Sequence, residues 1–497
     1  MVLIAPPVYL FPIMWLVFGA GVLGMLFRWH LKTSTIVGVV AGFLLFALFA
    51  HYDDPYHVYW GVTAAFVLGL TGMAVSKHFN IYMLGLAAGV SWLLIFMTTD
   101  DHTPIMTALT DVKNSITELN TFLIMIMFVV EAGVHMGILS PILTIINTNS
   151  KRTLMIIIGL MSFIMSAVLD NPTTAVVMGA LLTQLTTRPE NRLVFLAIII
   201  AGANAGGIPS AIGNTTSLFL FMGGQITIDA MFLHLIVPSL VYMLVIFAWF
   251  WFKLSGNVER PVPNELDPHA LEQSQQFHLK TWQQLLLLGL VLSGIALIVI
   301  TKLVYHYEPW LAGILVFSIW GILTGKFHVI KGHHFVEKFN VKSALSDVDF
   351  ETVVKFAFLI ALVGAANYVG VLRDVANLLV NTITEHGSED LVAPGIALLE
   401  GIVSAFMSNS ALVASNQAMF GLDQYPTNHI FWLMLNYTTG VGGAFLPIGT
   451  AAGMILMSRF HSVLTMGAYI KMTIIPFFLA YVAGFAVLYA DYLINIS

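Results

Sequence analysis

Not one cysteine occurs in the 497 residues. That excludes disulfides, thiolate metal sites and cysteine nucleophiles together. Charge is nearly as scarce, with Asp, Glu, Lys and Arg making up 9% of the chain. A soluble protein of this length could bury a large core and would still need far more charge on its surface. The mild net charge of −6 gives no sign of a nucleic-acid partner. No GxGD or HExxH pattern is present, so an intramembrane hydrolase has no motif to stand on. The first residues, "MVLIAPPVYLFPIMW", lack a positive n-region and a small-residue cleavage signature, so they are expected to open a retained first span.

What the chain does have is apolar length. It is 58% hydrophobic with a mean hydropathy of +0.89. Runs such as "LLLLGLVLSGIALIVI" and "IIPFFLAYVAGFAVLYA" recur, which predicts an all-α polytopic membrane protein embedded in a lipid bilayer. Spans are predicted near 8–27, 33–50, 58–76, 80–97, 119–140, 193–221 and 231–252. After the hydrophilic stretch Lys253 to Lys280 come spans near 281–302, 309–325, 351–373, 427–457 and 469–490. The total is about 12 transmembrane helices. Two further apolar segments, 153–186 and 391–421, are interrupted by polar residues.

Basic residues orient the spans. If 153–186 and 391–421 dip into the membrane and return, one side collects Arg28, Lys32, Lys77, Lys151, Arg152, Lys326 and Arg459. The other collects the acidic stretches "HYDDPYH", "TTDDHT" and "EHGSED". The basic side is expected to be the cytoplasm, with both termini on the periplasmic side of a bacterial inner membrane. The two interrupted segments are then re-entrant hairpins entering from opposite faces. The basic, His-rich run "KFHVIKGHHFVEKFNVK" fits a positive-inside loop, with a pH sensor as the less economical alternative.

The halves repeat. "FLIMIMFVVEAGVHMGIL" at 122–139 parallels "FAFLIALVGAANYVGVL" at 356–372, and "SAVLDN" at 166–171 parallels "SAFMSN" at 404–409. "NAGGIPSAIGNTT" at 204–216 parallels "GVGGAFLPIGTAA" at 440–452. Residues 1–118 then read as scaffold helices and 119–252 as a first repeat with its hairpin at 153–186. Residues 253–280 are a linker, and 281–350 hold scaffold helices and the basic loop. Residues 351–497 are a second repeat with its hairpin at 391–421. An odd number of crossings separates corresponding elements, so the repeats are inverted. Inverted repeats with broken helices are the architecture of secondary transporters.

The interruptions carry the chemistry. Backbone groups freed near the midplane must line a cavity or bind something. The four interruptions hold Asp170, Asn171, Thr173 and Thr174; Asn214, Thr215 and Thr216; Ser408, Asn409 and Ser410; and Thr450. Such hard oxygen ligands suit Na⁺ or Li⁺, with Asp170, Asn171, Asn214 and Asn409 as the candidate metal ligands. Pro172 reads as the helix breaker beside Asp170, the sole tip acid. Burial favours the protonated carboxyl and a bound cation the ionised one, so one group can couple H⁺ to a cation. The glycine doublets at 206–207 and 442–443 fit either backbone freedom or close helix packing. Glu131 and His135 are four residues apart on one helical face, as suits a proton relay or an internal hydrogen bond. Glu400 lies in the arm before the second tip; it could supply the charge Ser408 lacks, although snorkelling or a structural bond is simpler.

These motifs resemble those of the NhaD-type sodium:proton antiporters. "SAVLDNPTTAVVM", "NAGGIPSAIGNTTSLFLFMGGQIT" and "TTGVGGAFLPIGTAAGMILM" match that family's segments in order. The resemblance implies an inner-membrane exchanger, not an enzyme, that expels Na⁺ or Li⁺ against entering H⁺, needs no resident cofactor and can form a homodimer. Asp170, Asn171, Thr216 and Thr450 match family positions. Asn214 and Ser408 stand where the family commonly has Asp. "GNTT" and "SNS" are similar instead to the Ser-Asn-Thr motifs of divalent anion:sodium symporters. Sodium-coupled uptake of a small organic anion, such as a dicarboxylate, is therefore the alternative expectation.

Overall fold

The computed structural model describes residues 57–75, 80–98, 102–135, 148–185, 189–258, 350–386, 389–406, 409–460 and 462–496, with short pieces between 289 and 348. The predicted spans at 8–27 and 33–50, and nearly all of those at 281–302 and 309–325, lie outside the described residues, as does most of the 253–280 linker.

The chain opens with α1 (His57–Val75), α2 (Asn80–Thr98) and α3 (Thr103–His135). Then follow α4 (Lys151–Val168), α5 (Asn171–Leu185), α6 (Pro189–Gly207), α7 (Thr215–Met222) and α8 (Ile228–Lys253). After the linker come α9 (Phe350–Tyr368), α10 (Val371–His386), α11 (Val392–Val403), α12 (Asn409–Met419), α13 (Ile430–Gly442), α14 (Ala451–Arg459) and α15 (Met466–Asp491).

Four stretches among the described residues are long and apolar enough to cross a membrane: Lys151–Val168, Ile228–Lys253, Phe350–Tyr368 and Met466–Ile494. Helix α8 shows why. It is apolar all round, with Asp229 in its first turn and Lys253 in its last, each matching the sign of the helix dipole there. Its outward side chains Phe232, Leu233, Leu244 and Phe252 are exposed, as a lipid-facing surface requires. Helix α8 packs along α15, and Tyr242 meets Phe477 edge-on at 6.1 Å between ring centroids.

The internal likeness of the two halves extends to their packing. Helix α4 lies against α6, and α11 lies against α13. A Cβ on Gly206 would run into the Phe163 carbonyl, and one on Gly442 into the Gly401 carbonyl. Neither doublet has a positive φ. The doublets therefore serve close helix packing, which decides between the two readings of them. The pieces that follow each break are exchanged between halves: α5 packs on α14, and α7 packs on α12.

Three features differ from expectation. Residues 119–135 of the predicted 119–140 span form the second half of the longer α3, whose first half carries Asp111 and Lys113. There Thr107, Thr110, Ser115, Thr117 and Thr121 bond back to carbonyls four residues earlier, so polar side chains sit on a helix without disturbing it. Residues after 373, expected as loop, form the amphipathic α10, whose Leu372 and Ala376 are buried. The basic run forms an antiparallel hairpin, β1 (His328–Lys331) with β2 (His334–Lys338), so an all-α description omits one small β element.

Candidate functional site

The first break begins where α4 ends at Val168. Helix α5 starts afresh at Asn171, and Asp170 caps it. The Thr173 N–H donates to Asp170 Oδ1 at 2.7 Å, and the Thr174 N–H donates to the Asp170 carbonyl at 3.1 Å. Pro172 falls in the first helical turn, where its missing N–H costs nothing. It starts the second arm and does not break the first, which corrects the sequence reading. The half-buried carboxylate thus sits at the positive end of a helix. Capping is worth about 1 kcal/mol and the dipole about 0.3–1 kcal/mol. A carboxylate at the centre of a membrane helix costs about 2.5–3.5 kcal/mol on insertion scales. Cap and dipole leave part of that cost for a cation or a proton to offset.

Asn171 is almost fully buried beside it. With its amide nitrogen turned to the carbonyls, it donates to Ala203 O and Gly213 O at 2.8 Å each, and to Ser166 Oγ at 2.6 Å. Ser166 passes its own proton to Ala203 O at 2.6 Å. The Asn171 amide oxygen then faces Asn204 Oδ1 at 3.1 Å, while the Asn204 amide nitrogen is committed to Ile200 O at 2.8 Å. In the other amide orientation Asn171 Nδ2 donates to Asn204 Oδ1 at 3.1 Å, and Asn171 Oδ1 accepts the Ser166 hydroxyl at 2.6 Å.

The second break separates α6 from α7. Asn214 caps α7, accepting from the Thr216 N–H at 3.4 Å, and Thr215 Oγ1 donates to Asn214 Oδ1 at 3.5 Å. Thr216 and Ser217 donate to Asn436 Oδ1 at 3.2 and 3.0 Å. Asn436 Nδ2 donates to Ile208 O at 3.2 Å. Asn436 belongs to α13, so this amide ties the break of one half to a helix of the other.

The remaining breaks mirror the first pair. Ser404 Oγ donates to Thr439 O at 3.2 Å, as Ser166 does to Ala203 O. Asn409 and Ser410 are buried in the first turn of α12. Gly443 approaches Asn409 as Gly207 approaches Asn171. Thr450 caps α14, taking the Gly453 N–H at 3.0 Å. Thr174 Oγ1, Asn214 Nδ2 and Asn409 Oδ1 are buried without a hydrogen-bond partner in the protein. Each such group costs about 1–3 kcal/mol unless something satisfies it. Three of the nine such atoms among the described residues lie at the breaks, where a bound ligand would satisfy them.

Ser408 lies outside the described residues, and so do the side chains of Glu131 and His135, whose backbone closes α3. Asn204 and Asn436 were not singled out in the sequence. The signal for Asn204 was its place at the head of the "NAGG" motif; for Asn436 nothing in an isolated helix reveals a partner in the other half.

A cavity of about 310 Å³ opens between α3, α9 and the far ends of α7 and α12. Asp111, Ser115, Asn367, Gln225 and Gln417 line it. Gln417 Nε2 donates to Gln225 Oε1 at 2.7 Å and to Phe219 O at 2.8 Å, clasping α12 to the end of α7. The helix pair that holds Asn214 and Asn409 at one end therefore meets an open, partly polar cavity at the other.

A family model described as citrate transporter matches residues 59–435. Sodium/proton antiporter 1 of Arabidopsis thaliana is 29% identical over 398 residues, covering 79% of this chain. The match spans 66% of that relative's own length, just under two-thirds. The Na⁺/H⁺ antiporter NhaD of Vibrio parahaemolyticus is 26% identical over 416 residues, covering 78% of this chain and 94% of that protein. Among solved structures, the YdaH transporter of Alcanivorax borkumensis superposes with a TM-score of 0.53 at 14% identity, over 79% of this chain and 90% of that one. That likeness concerns the fold alone.

Proposed function

The chain belongs to the citrate transporter family, and from that premise we propose that it is a secondary transporter exchanging Na⁺ or Li⁺ for H⁺. The observation that carries the reading is Asp170: a half-buried carboxylate at a helix start, among buried oxygens, in stretches free of base. Neither Lys nor Arg occurs between 153 and 187 or between 391 and 458. A site with an acid, amide and hydroxyl oxygens and no base favours a hard monovalent cation over an anion. The names of the relatives, from a plant and from bacteria, point the same way.

In this mechanism ionised Asp170 holds the cation. Asn171, Thr173, Thr174, Asn214, Thr215, Thr216, Ser408, Asn409, Ser410 and Thr450 supply neutral oxygens around it. Protonation of Asp170 on the opposite side discharges the ion and resets the carrier. Glu131 and His135 serve as a relay toward the site. About 12 spans cross the bilayer. Residues 153–186 and 391–421 act as re-entrant hairpins in inverted repeats 119–252 and 351–497. These repeats move against scaffold helices in 1–118 and 281–350. The protein sits in a bacterial inner membrane as a homodimer with both termini periplasmic, and it carries no resident cofactor.

Proteoliposomes loaded with a pH-sensitive dye test this. Added Na⁺ or Li⁺ should release protons over about pH 7 to 9, as competition between cation and proton for one carboxyl requires. No release across that range rejects antiport. The second reading, sodium-coupled uptake of a small organic anion, rests on the family description and on the capped helix starts at the breaks, which attract negative charge. Sodium-dependent uptake of a labelled dicarboxylate would establish it in place of the first.

A further inference from the structure

We propose that the cavity between α3, α9 and the far ends of α7 and α12 is a cation-collecting vestibule, with Asp111 as its charge. Hydrated Na⁺ or Li⁺ passes through it between solution and the breaks. The identity of the cation rests on the antiport reading; the sign of the cavity's potential does not. Exposure grades the lining. Asp111, Ser115 and Asn367 are exposed and form the mouth, whereas Leu119, Phe219 and Ala414 are buried and form the floor.

Helical spacing sets this grading. Asp111, Ser115 and Leu119 recur every four residues, so α3 turns one stripe to the cavity. Lys113 stands about 200° around the helix from Asp111 and is not part of the lining. On α9 the stripe is Ile360, Val363, Gly364 and Asn367, spaced by three and four. Gly364 lets the two helices close, since a Cβ there would run into Val112. The clasp of Gln417 on Gln225 forms the opposite wall, and the Asn428 N–H holds it from behind by donating to Gln225 O at 2.7 Å.

The lining favours positive charge. Asp111 is the one ionisable side chain among the described residues that line it. Helices α7 and α12 start at breaks and run toward the cavity, so it receives their C-terminal, negative ends. Apolar walls of low dielectric focus the field of the carboxylate into the water between them. Arg373 lies instead against the Gly370 turn, and Glu400, in the last turn of α11, does not line the cavity. A volume of about 310 Å³ holds roughly ten waters at about 30 Å³ each, so an ion enters hydrated.

Phe219 and Ala414 each lie five residues beyond a break residue, Asn214 and Asn409. At about 1.5 Å per residue, the floor stands roughly 8 Å along the helices from those starts. Phe219 meets Phe356 of α9 edge-on at 5.2 Å, so an apolar contact closes the floor in this conformation. The vestibule thus concentrates cations above a closed floor without stripping their water, and it repels an anion from the same mouth.

The chain has no cysteine, so Ser115→Cys and Asn367→Cys each give a single thiol in the mouth, one on each facing helix. Methanethiosulfonates ending in trimethylammonium or in sulfonate then read the potential there. Residues four apart on a helix are about 6 Å apart at Cβ. At that distance in water a unit negative charge speeds the cationic reagent and slows the anionic one by about threefold each. Relative to a free thiol, S115C should therefore prefer the cationic reagent by about tenfold, and N367C should prefer it as well. Asp111→Asn should bring both preferences toward one, as should about 1 M salt, where the Debye length is about 3 Å. Thr117→Cys, off the stripe and four residues from Lys113, should show no preference for the cation. In transport, D111N should raise the KM for Na⁺ by about threefold at low ionic strength. Thiols that neither reagent reaches, preferences that D111N leaves unchanged, an equal preference at Thr117→Cys or an unchanged KM overturns the vestibule. A parent that releases no proton when Na⁺ is added removes the antiport reading and leaves the labelling ratios as they are.

Discussion

Replacing Asp170 by Asn and by Ala separates two roles that one carboxylate can fill. Its Oδ1 takes the Thr173 N–H at 2.7 Å, so it is a helix cap whatever else it does. Asn caps helices about as well as Asp, whereas Ala forfeits about 1 kcal/mol. Removing the charge also forfeits about 0.3–1 kcal/mol of helix-dipole stabilisation but relieves about 2.5–3.5 kcal/mol of burial cost. D170N should therefore unfold at or above the parent's temperature in detergent. D170A should lie about 1 kcal/mol below D170N, since only the cap distinguishes them. Both should lose sodium-driven proton release in the dye assay, because neither can alternate between cation and proton. Full exchange in D170N, with D170A weakened only through its stability, would show that Asp170 caps a helix and nothing more. The cation site would then lie elsewhere.

Three other perturbations follow from the packing. Asn436→Ala removes the acceptor of Thr216 and Ser217 and the donor to Ile208 O; at about 1–3 kcal/mol per orphaned buried group it should lower the unfolding temperature and raise the KM for Na⁺ together. Gly206→Ala and Gly442→Ala each drive a Cβ into a backbone carbonyl. Both should destabilise by at least the roughly 1–3 kcal/mol typical of overpacking, and similar losses in thermal unfolding are expected because the contact is repeated. His234 meets Asp491 at 2.7 Å between α8 and α15, with side chains 27% and 28% exposed. His234→Ala should change stability by no more than about 1 kcal/mol and leave exchange unaltered.

The helix breaks were legible because polar residues and glycine doublets interrupt apolar runs at matching places in each half. Their cause was not. Pro172 looked like the breaker, yet it occupies a first-turn position that Asp170 caps. Hydropathy also missed polar helix. The first half of α3 hides its hydroxyls in bonds to its own carbonyls, and α10 is amphipathic rather than apolar. The β1–β2 hairpin escaped because its Lys and His residues read as loop charge. Asn204 and Asn436 were invisible for a different reason. A buried amide inside a helix acquires meaning only from what faces it, and for Asn436 that lies some 220 positions away.

The central claim is that Na⁺ and H⁺ compete for Asp170. It is tested most directly by equilibrium binding of radioactive Na⁺ to the purified protein as a function of pH. Competition at one carboxyl predicts that Na⁺ affinity falls about tenfold for each pH unit below the pKa of the empty site, with about one proton released per ion bound there. D170N should show no such dependence. Sodium binding that is as tight at low pH as at high pH, with no proton released, would contradict the account.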